Sequence, residues 1–261
     1  MVPLQSVAFL ELTRVIDAPR QLLWHSISTA EGLSTWHADQ VTGSLEKRHF
    51  RVAWPSLNAQ MELVVESVDV EQNKLVFRAG QSLVGLSLVE NSVRLIHEGL
   101  DETDDLGGFR SSWSLALSLL DHAVTRHPTK PRQVHWFFER AQTTPELVHF
   151  YFSNALGLRA WLGHSAADIA SVGSKVRLEL PNGTRLTGRV LCHEEGRDLA
   201  VSWDELDGAA LVLRTLPASG GERSLSISLS SYGKDVDPAQ LKQLGKCLNR
   251  LGETLRGRGS S

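Results

Sequence analysis

The chemistry open to this 261-residue chain rests first on ten histidines and two cysteines. His97 sits in Ser92-Val-Arg-Leu-Ile-His-Glu-Gly-Leu100, which alternates apolar and polar side chains as a strand does. A histidine on such a strand could be a buried acid–base group in a pocket. His37 and His164 each lie just after a tryptophan, Trp36 and Trp161. That repetition points to a role in the fold, such as capping a carbonyl. No histidine pairs with Cys, Asp or Glu at a metal-binding spacing, so no metal site is expected. Cys192 and Cys247 have no basic neighbour to lower their pKa, and they read as packing residues. The run Asp101-Glu-Thr-Asp-Asp105 could hold a cation. It reads more simply as a solvated turn whose charge favours the start of the next helix. The chain has no glycine-rich nucleotide loop, no His-Glu-x-x-His and no Gly-x-Ser-x-Gly. No catalytic residue and no cofactor is expected.

Aromatic residues offer a second kind of site. Seven tryptophans and eight phenylalanines could line a cavity for an apolar ligand. The candidates are Trp36, Trp54, Phe77, Phe109 and Trp113 beside His97 in the first half, and Phe150, Trp161 and Trp203 in the second. The competing reading is that these rings fill two cores.

The elements that must position these residues occur twice. Phe9-Leu-Glu-Leu-Thr-Arg-Val-Ile-Asp-Ala-Pro19 and Val134-His-Trp-Phe-Phe-Glu-Arg-Ala-Gln-Thr-Thr-Pro145 are β-rich runs ending in a proline turn. Asp17 and Thr143 or Thr144 are candidate helix N-caps, with proline suited to the first helical turn. Superposing Pro19 on Pro145 brings Arg14 onto Arg140 and Trp24 onto Phe150, and with one gap Trp36 meets Trp161. Strands follow in both halves. Met61–Val68 leads through Glu71-Gln-Asn-Lys74 to Leu75–Phe77, and Val176–Leu180 and Arg185–Leu191 flank the hairpin signal Asn182-Gly183. Leu199–Trp203, Ala210–Leu216 and Ser224–Ser230 continue the pattern. Phe109, Trp113, Leu117, Leu120 and Val124 share one helix face, as do Leu241, Leu244, Leu248, Leu251 and Leu255. Between the halves, His127-Pro-Thr-Lys-Pro-Arg132 reads as a linker.

The order of these pieces resembles the helix-grip superfamily of START-like, Bet v 1-like and polyketide-cyclase domains. The closest branch is that of the activator of Hsp90 ATPase homologues (AHSA1-like). The phrases that carry the likeness are Ala18-Pro19 with Trp36, Thr144-Pro145-Glu146 with Trp161, Val65-Glu66-Ser67-Val68 through Phe77, His97-Glu98-Gly99, and Gly108-Phe109 before Trp113. The resemblance implies an α+β fold of two tandem helix-grip domains, 1–127 and a diverged 132–257. Each would be a curved antiparallel sheet with two short helices, wrapped on a long C-terminal helix. It also implies that His97 is a structural histidine bonding near the last helix.

Composition bounds the function. Residues 1–130 carry 11 Lys and Arg against 16 Asp and Glu, and residues 131–261 carry 16 against 14, for a net charge of −3. Neither half has the basic excess of a nucleic-acid binder. No apolar run approaches the ~20 residues of a membrane span. Without a visible signal peptide or disulfide framework, the expected location is cytoplasmic. Two functions fit these residues. One is a non-enzymatic binding protein, an adaptor, regulator or co-chaperone-like molecule with an unidentified protein partner. The other is a hydrophobic small-molecule binder or polyketide-cyclase-like enzyme that uses the cavity between sheet and last helix.

Overall fold

The computed structural model describes residues 8–101, 103–165 and 167–258. They form two compact units that meet between Arg132 and Gln133. The first unit runs β1 (Ala8–Val15), α1 (Arg20–Ser28), α2 (Ala30–Ser34), β2 (Gln40–Ser44), β3 (His49–Trp54), β4 (Ala59–Asp69), β5 (Lys74–Ala79), β6 (Ser82–Val89), β7 (Ser92–Leu100) and α3 (Leu106–Arg126). The second repeats the order: β8 (Arg132–Ala141), α4 (Pro145–Ser153), α5 (Ala155–Trp161), β9 (His164–Ser165), β10 (Lys175–Glu179), β11 (Arg185–Glu194), β12 (Asp198–Trp203), β13 (Ala209–Pro217), β14 (Arg223–Tyr232) and α6 (Pro238–Arg258).

Each unit has one seven-stranded sheet, in the orders β1-β7-β6-β5-β4-β3-β2 and β8-β14-β13-β12-β11-β10-β9. The first strand closes against the last, and the meander runs antiparallel between them. This is the α+β helix-grip architecture, present twice. Neither unit has a described helix long and apolar enough to cross a membrane.

Local chemistry explains most element ends. Asp105 caps α3, its Oδ1 accepting from Gly108 N at 2.9 Å, so the acidic run is a turn that serves the helix start. Glu102 of that run lies outside the described residues. Thr144 caps α4 by accepting from Leu147 N. The other cap candidate fails: Pro19 occupies the α1 cap position, with no side-chain cap bond there. The Asn182-Gly183 hairpin closes with only Gly183 left-handed, at φ 81°. Gly183 N bonds Leu180 O, giving a three-residue loop rather than a two-residue turn. The expected linker is anchored at both ends. His127 is buried against His122, and the Arg132 guanidinium donates to Ala38 O at 2.9 Å.

The internal repeat is tighter than the proline alignment suggests. Trp36 Nε1 donates to Ser26 O at 2.9 Å and Trp161 Nε1 donates to Tyr151 O at 2.7 Å, both fully buried. A Cβ on Gly32 would stand 2.3 Å from His25 O, and one on Gly157 would stand 2.3 Å from Phe150 O. These paired contacts equate Ser26 with Tyr151 and His25 with Phe150. Cap residue Pro19 then matches cap residue Thr144, and no gap is needed. Trp24 corresponds to His149 rather than Phe150, and Arg14 to Glu139 rather than Arg140. A proline at the cap in one copy and at the first helical residue in the other produced the one-residue offset.

Candidate functional site

The side chains with chemical capacity in the first unit gather where the start of α3 covers the far end of β7. His97 is the third inward residue of β7, after Val93 and Leu95, and is buried. Gly99 turns the strand end, with φ 79°, at the irregular β1–β7 register. A Cβ there would meet Gln81 O at 2.9 Å, so the glycine of His-x-Gly is sterically required. Helical spacing brings Phe109 and Trp113 over the imidazole. The Phe109 ring stands edge-on to His97 at 4.9 Å, and Trp113 Nε1 donates to His97 Nδ1 at 3.2 Å.

A face of Trp113 stacks on His37, with ring centres 5.6 Å apart and planes 7° apart. Trp54 stands edge-on to His37 at 5.6 Å and donates its Nε1 to His37 O. The Trp36 ring lies 5.3 Å from His37, tilted by 47°. His37, Trp54, Phe109 and Trp113 are all partly exposed, whereas His97 is buried.

Electrostatics keep both imidazoles neutral near pH 7. Burial holds His97 below its ordinary value, partly offset by Asp104. Desolvation, helped by the charge of Arg132, lowers His37 to about 4. Arg132 also stands 3.7 Å from Asp39. An indole N–H can only donate, so His97 Nδ1 must accept. The proton of neutral His97 is therefore on Nε2. Among the described residues no side chain or carbonyl accepts it. With Nδ1 engaged by Trp113, His97 is a buried N–H donor and not a free general base.

The remaining sequence candidates are placed elsewhere. Phe77 packs edge-on to Phe50 in the first core, 5.7 Å away. Trp161 and Trp203 belong to the second core. Phe150 lies on an exposed helix face. His164 is exposed on the edge strand β9 against Arg159, so His37 and His164 do not share a role. Cys192 and Cys247 are buried, and burial raises the Cys247 thiol pKa. Arg132 and Asp39 belong to the cluster, yet no sequence pattern singled them out. A groove of about 480 Å³ also lies beside Thr42, Arg51 and Gln60 of β2–β4, where no sequence pattern marked it.

The second unit shows what the same fold does without these groups. Strand register equates Val84 with Leu211 and so His97 with Leu229. The tryptophan pairing equates His37 with Leu162. Both leucines are buried in a continuous apolar core. The void among Phe152, Leu162, Val201 and Trp203 measures about 10 Å³, smaller than a ligand and marginal even for water.

No protein-family model and no curated protein matches the chain. Solved structures do. The di-domain ARO/CYC StfQ from the steffimycin biosynthetic pathway aligns over 97% of this chain and 100% of its own, at 12% identity and TM-score 0.44. A protein in the dynemicin biosynthetic locus aligns over 95% of each chain, at 17% identity and TM-score 0.40. The AHSA1-like protein from Aeromonas hydrophila aligns over 49% of this chain and 96% of its own, at 13% identity and TM-score 0.39. The helix-grip assignment itself stands on strand order and helix placement in this chain.

Proposed function

We propose that the chain is a binding protein whose first unit takes a small, largely apolar molecule carrying an oxygen acceptor, and whose second unit is a filled scaffold. One observation carries this reading. Two histidines, His37 and His97, stand where the second unit has Leu162 and Leu229. Putting a polar ring into a core position costs stability unless its donors and acceptors are used. Trp113 satisfies one nitrogen of His97. The other is a donor that a ligand carbonyl or phenol oxygen would accept from, with Trp54, Phe109 and Trp113 as apolar walls. The tautomer favours binding over base catalysis, because the Nδ1 lone pair is engaged.

Native mass spectrometry of protein purified from its own host tests this. The expected spectrum shows a reproducible small added mass that vanishes on denaturation. The mass is lost in His97→Leu, which copies the second unit. A bare chain mass, or an adduct that survives His97→Leu unchanged, overturns the proposal.

A second reading, docking of a protein partner, is supported by the outer face of β8. There Trp136 stacks on Phe138 at 5.8 Å and 5°, and Phe138 is 40% exposed. Stacked aromatics of this kind recur at protein interfaces. Co-purification of one stoichiometric partner that is lost in Phe138→Ser would favour this reading. Retention of that partner by Phe138→Ser would count against it.

A further inference from the structure

The second unit has its own histidine pair, outside the site described above. His149 on α4 and His193 on β11 face each other with ring centres 5.0 Å apart and planes at 64°. His149 Nδ1 and His193 Nε2 are both buried, and neither has a hydrogen-bond partner. Two unpaired ring nitrogens on facing rings leave a place for a bridging species, since an unsatisfied buried polar atom costs about 1–3 kcal/mol. The first unit has its histidine pair elsewhere, His122 against His127, and none at the equivalent positions. Its helix carries Trp24 at the position of His149, and its strand bulge places Val68 at that of His193.

We infer that His149 and His193 form a binding site for a divalent transition-metal ion of the zinc class. Neutral imidazole is the form that ligates, and His149 Nδ1 and His193 Nε2 are the ring nitrogens left without a partner. Two imidazoles on one tetrahedral zinc, at Zn–N distances of about 2.0 Å, hold their ring centres roughly 5 Å apart. The 5.0 Å between the His149 and His193 rings admits that geometry. Glu195, in the turn after β11, acts electrostatically on His149 and supplies the negative charge a cation site needs. Water would complete the coordination. Because His149 and His193 lie on different elements, no short spacing in the sequence announces the pair. Among the described residues no group of three or more His, Cys, Asp or Glu is arranged around a metal position, so this is a two-histidine site.

The test uses the full chain, stripped with a chelator and titrated with zinc alone by calorimetry. Cobalt(II) absorption then serves as a coordination probe. The expected result is uptake of one zinc per chain, a raised melting temperature and a visible tetrahedral cobalt band. All three are lost in His193→Val, which restores the residue type of the first unit. His149→Gln loses them as well, while His164→Gln, at an exposed histidine of the same unit, keeps them. Melting of the variants in chelator at the wild-type temperature establishes that they fold. No stoichiometric uptake by the wild type, or uptake unchanged in both His149→Gln and His193→Val, overturns the inference.

Discussion

The indole Nε1 of Trp113 donates to Nδ1 of His97 across 3.2 Å, tying the second turn of the last helix to an inward position of the last strand. One contact thus sets three properties of the cluster: where Trp113 lies, which nitrogen of His97 holds the proton, and which nitrogen is left to donate.

Trp113→Phe removes the donor and keeps the ring. Nitrogen-detected NMR of the histidines is expected to show His97 as the Nε2–H form in the wild type and a mixture of tautomers in the variant. The lost bond costs about 1 kcal/mol of stability. An Nδ1–H form in the wild type would contradict the geometry.

His37 gives the fold a pH dependence. Its folded pKa of about 4 lies below the ordinary 6.5, so between these values the unfolded chain takes up a proton that the folded chain refuses. Stability is complete above pH 6.5 and falls as pH drops toward 4. Burial of His97 and His149 adds in the same direction. His37→Gln should flatten the curve by on the order of 2 kcal/mol across that window. Parallel denaturation profiles for wild type and variant at pH 7, 6 and 5 would show that His37 is not the group responsible.

Trp36 and Trp161 do the same work in the two units. Trp36→Phe leaves Ser26 O without its donor, and Trp161→Phe does so for Tyr151 O, each in a dry interior. Each should cost about 2–3 kcal/mol through the lost hydrogen bond and the smaller ring. Chemical denaturation of both variants checks this. A cost below about 0.5 kcal/mol in either unit would mean that the indole contact contributes little.

Gly32 and Gly157 admit no side chain. Alanine at either would push a methyl group to 2.3 Å from a backbone oxygen of the preceding helix. The two short helices would have to separate, at a cost of at least about 3 kcal/mol. Expression and thermal melting of Gly32→Ala and Gly157→Ala are the readout. Gly173→Ala serves as the control, because a Cβ there meets nothing, although its φ of 82° carries a smaller backbone penalty.

The clasp between first strand and last helix has opposite polarity in the two units. Arg14 on β1 holds Asp121 on α3 at 2.9 Å, whereas Glu139 on β8 holds Arg256 on α6 at 2.5 Å. Arg14→Glu should destabilise by about 1–2 kcal/mol, and adding Asp121→Arg should recover most of the loss. Simple additivity of the two single changes would show that the charges do not interact.

What the sequence determined by itself is what local periodicity and turn chemistry encode. Alternation in Ser92–Leu100 marked β7 to the residue, and spacings of three and four marked α3 and α6. The proline turns, with Trp36 and Trp161, revealed the duplication and hence the two sheets. These signals are short-range, so they survive without knowledge of the fold. Tertiary structure alone decided which chemically able residues meet. Trp113 reaches both His97 and His37 because helix packing lays one indole across a strand end and a loop. Arg132 reaches the neighbourhood of His37 from the far end of the unit. His149 finds His193 through an α4–β11 contact. The one-residue slip in the proline alignment has the same origin, because cap position is defined by backbone hydrogen bonds that the letters do not carry. The contrast between an interior with two histidines and one with Leu162 and Leu229 appears only when strand register assigns each residue its counterpart.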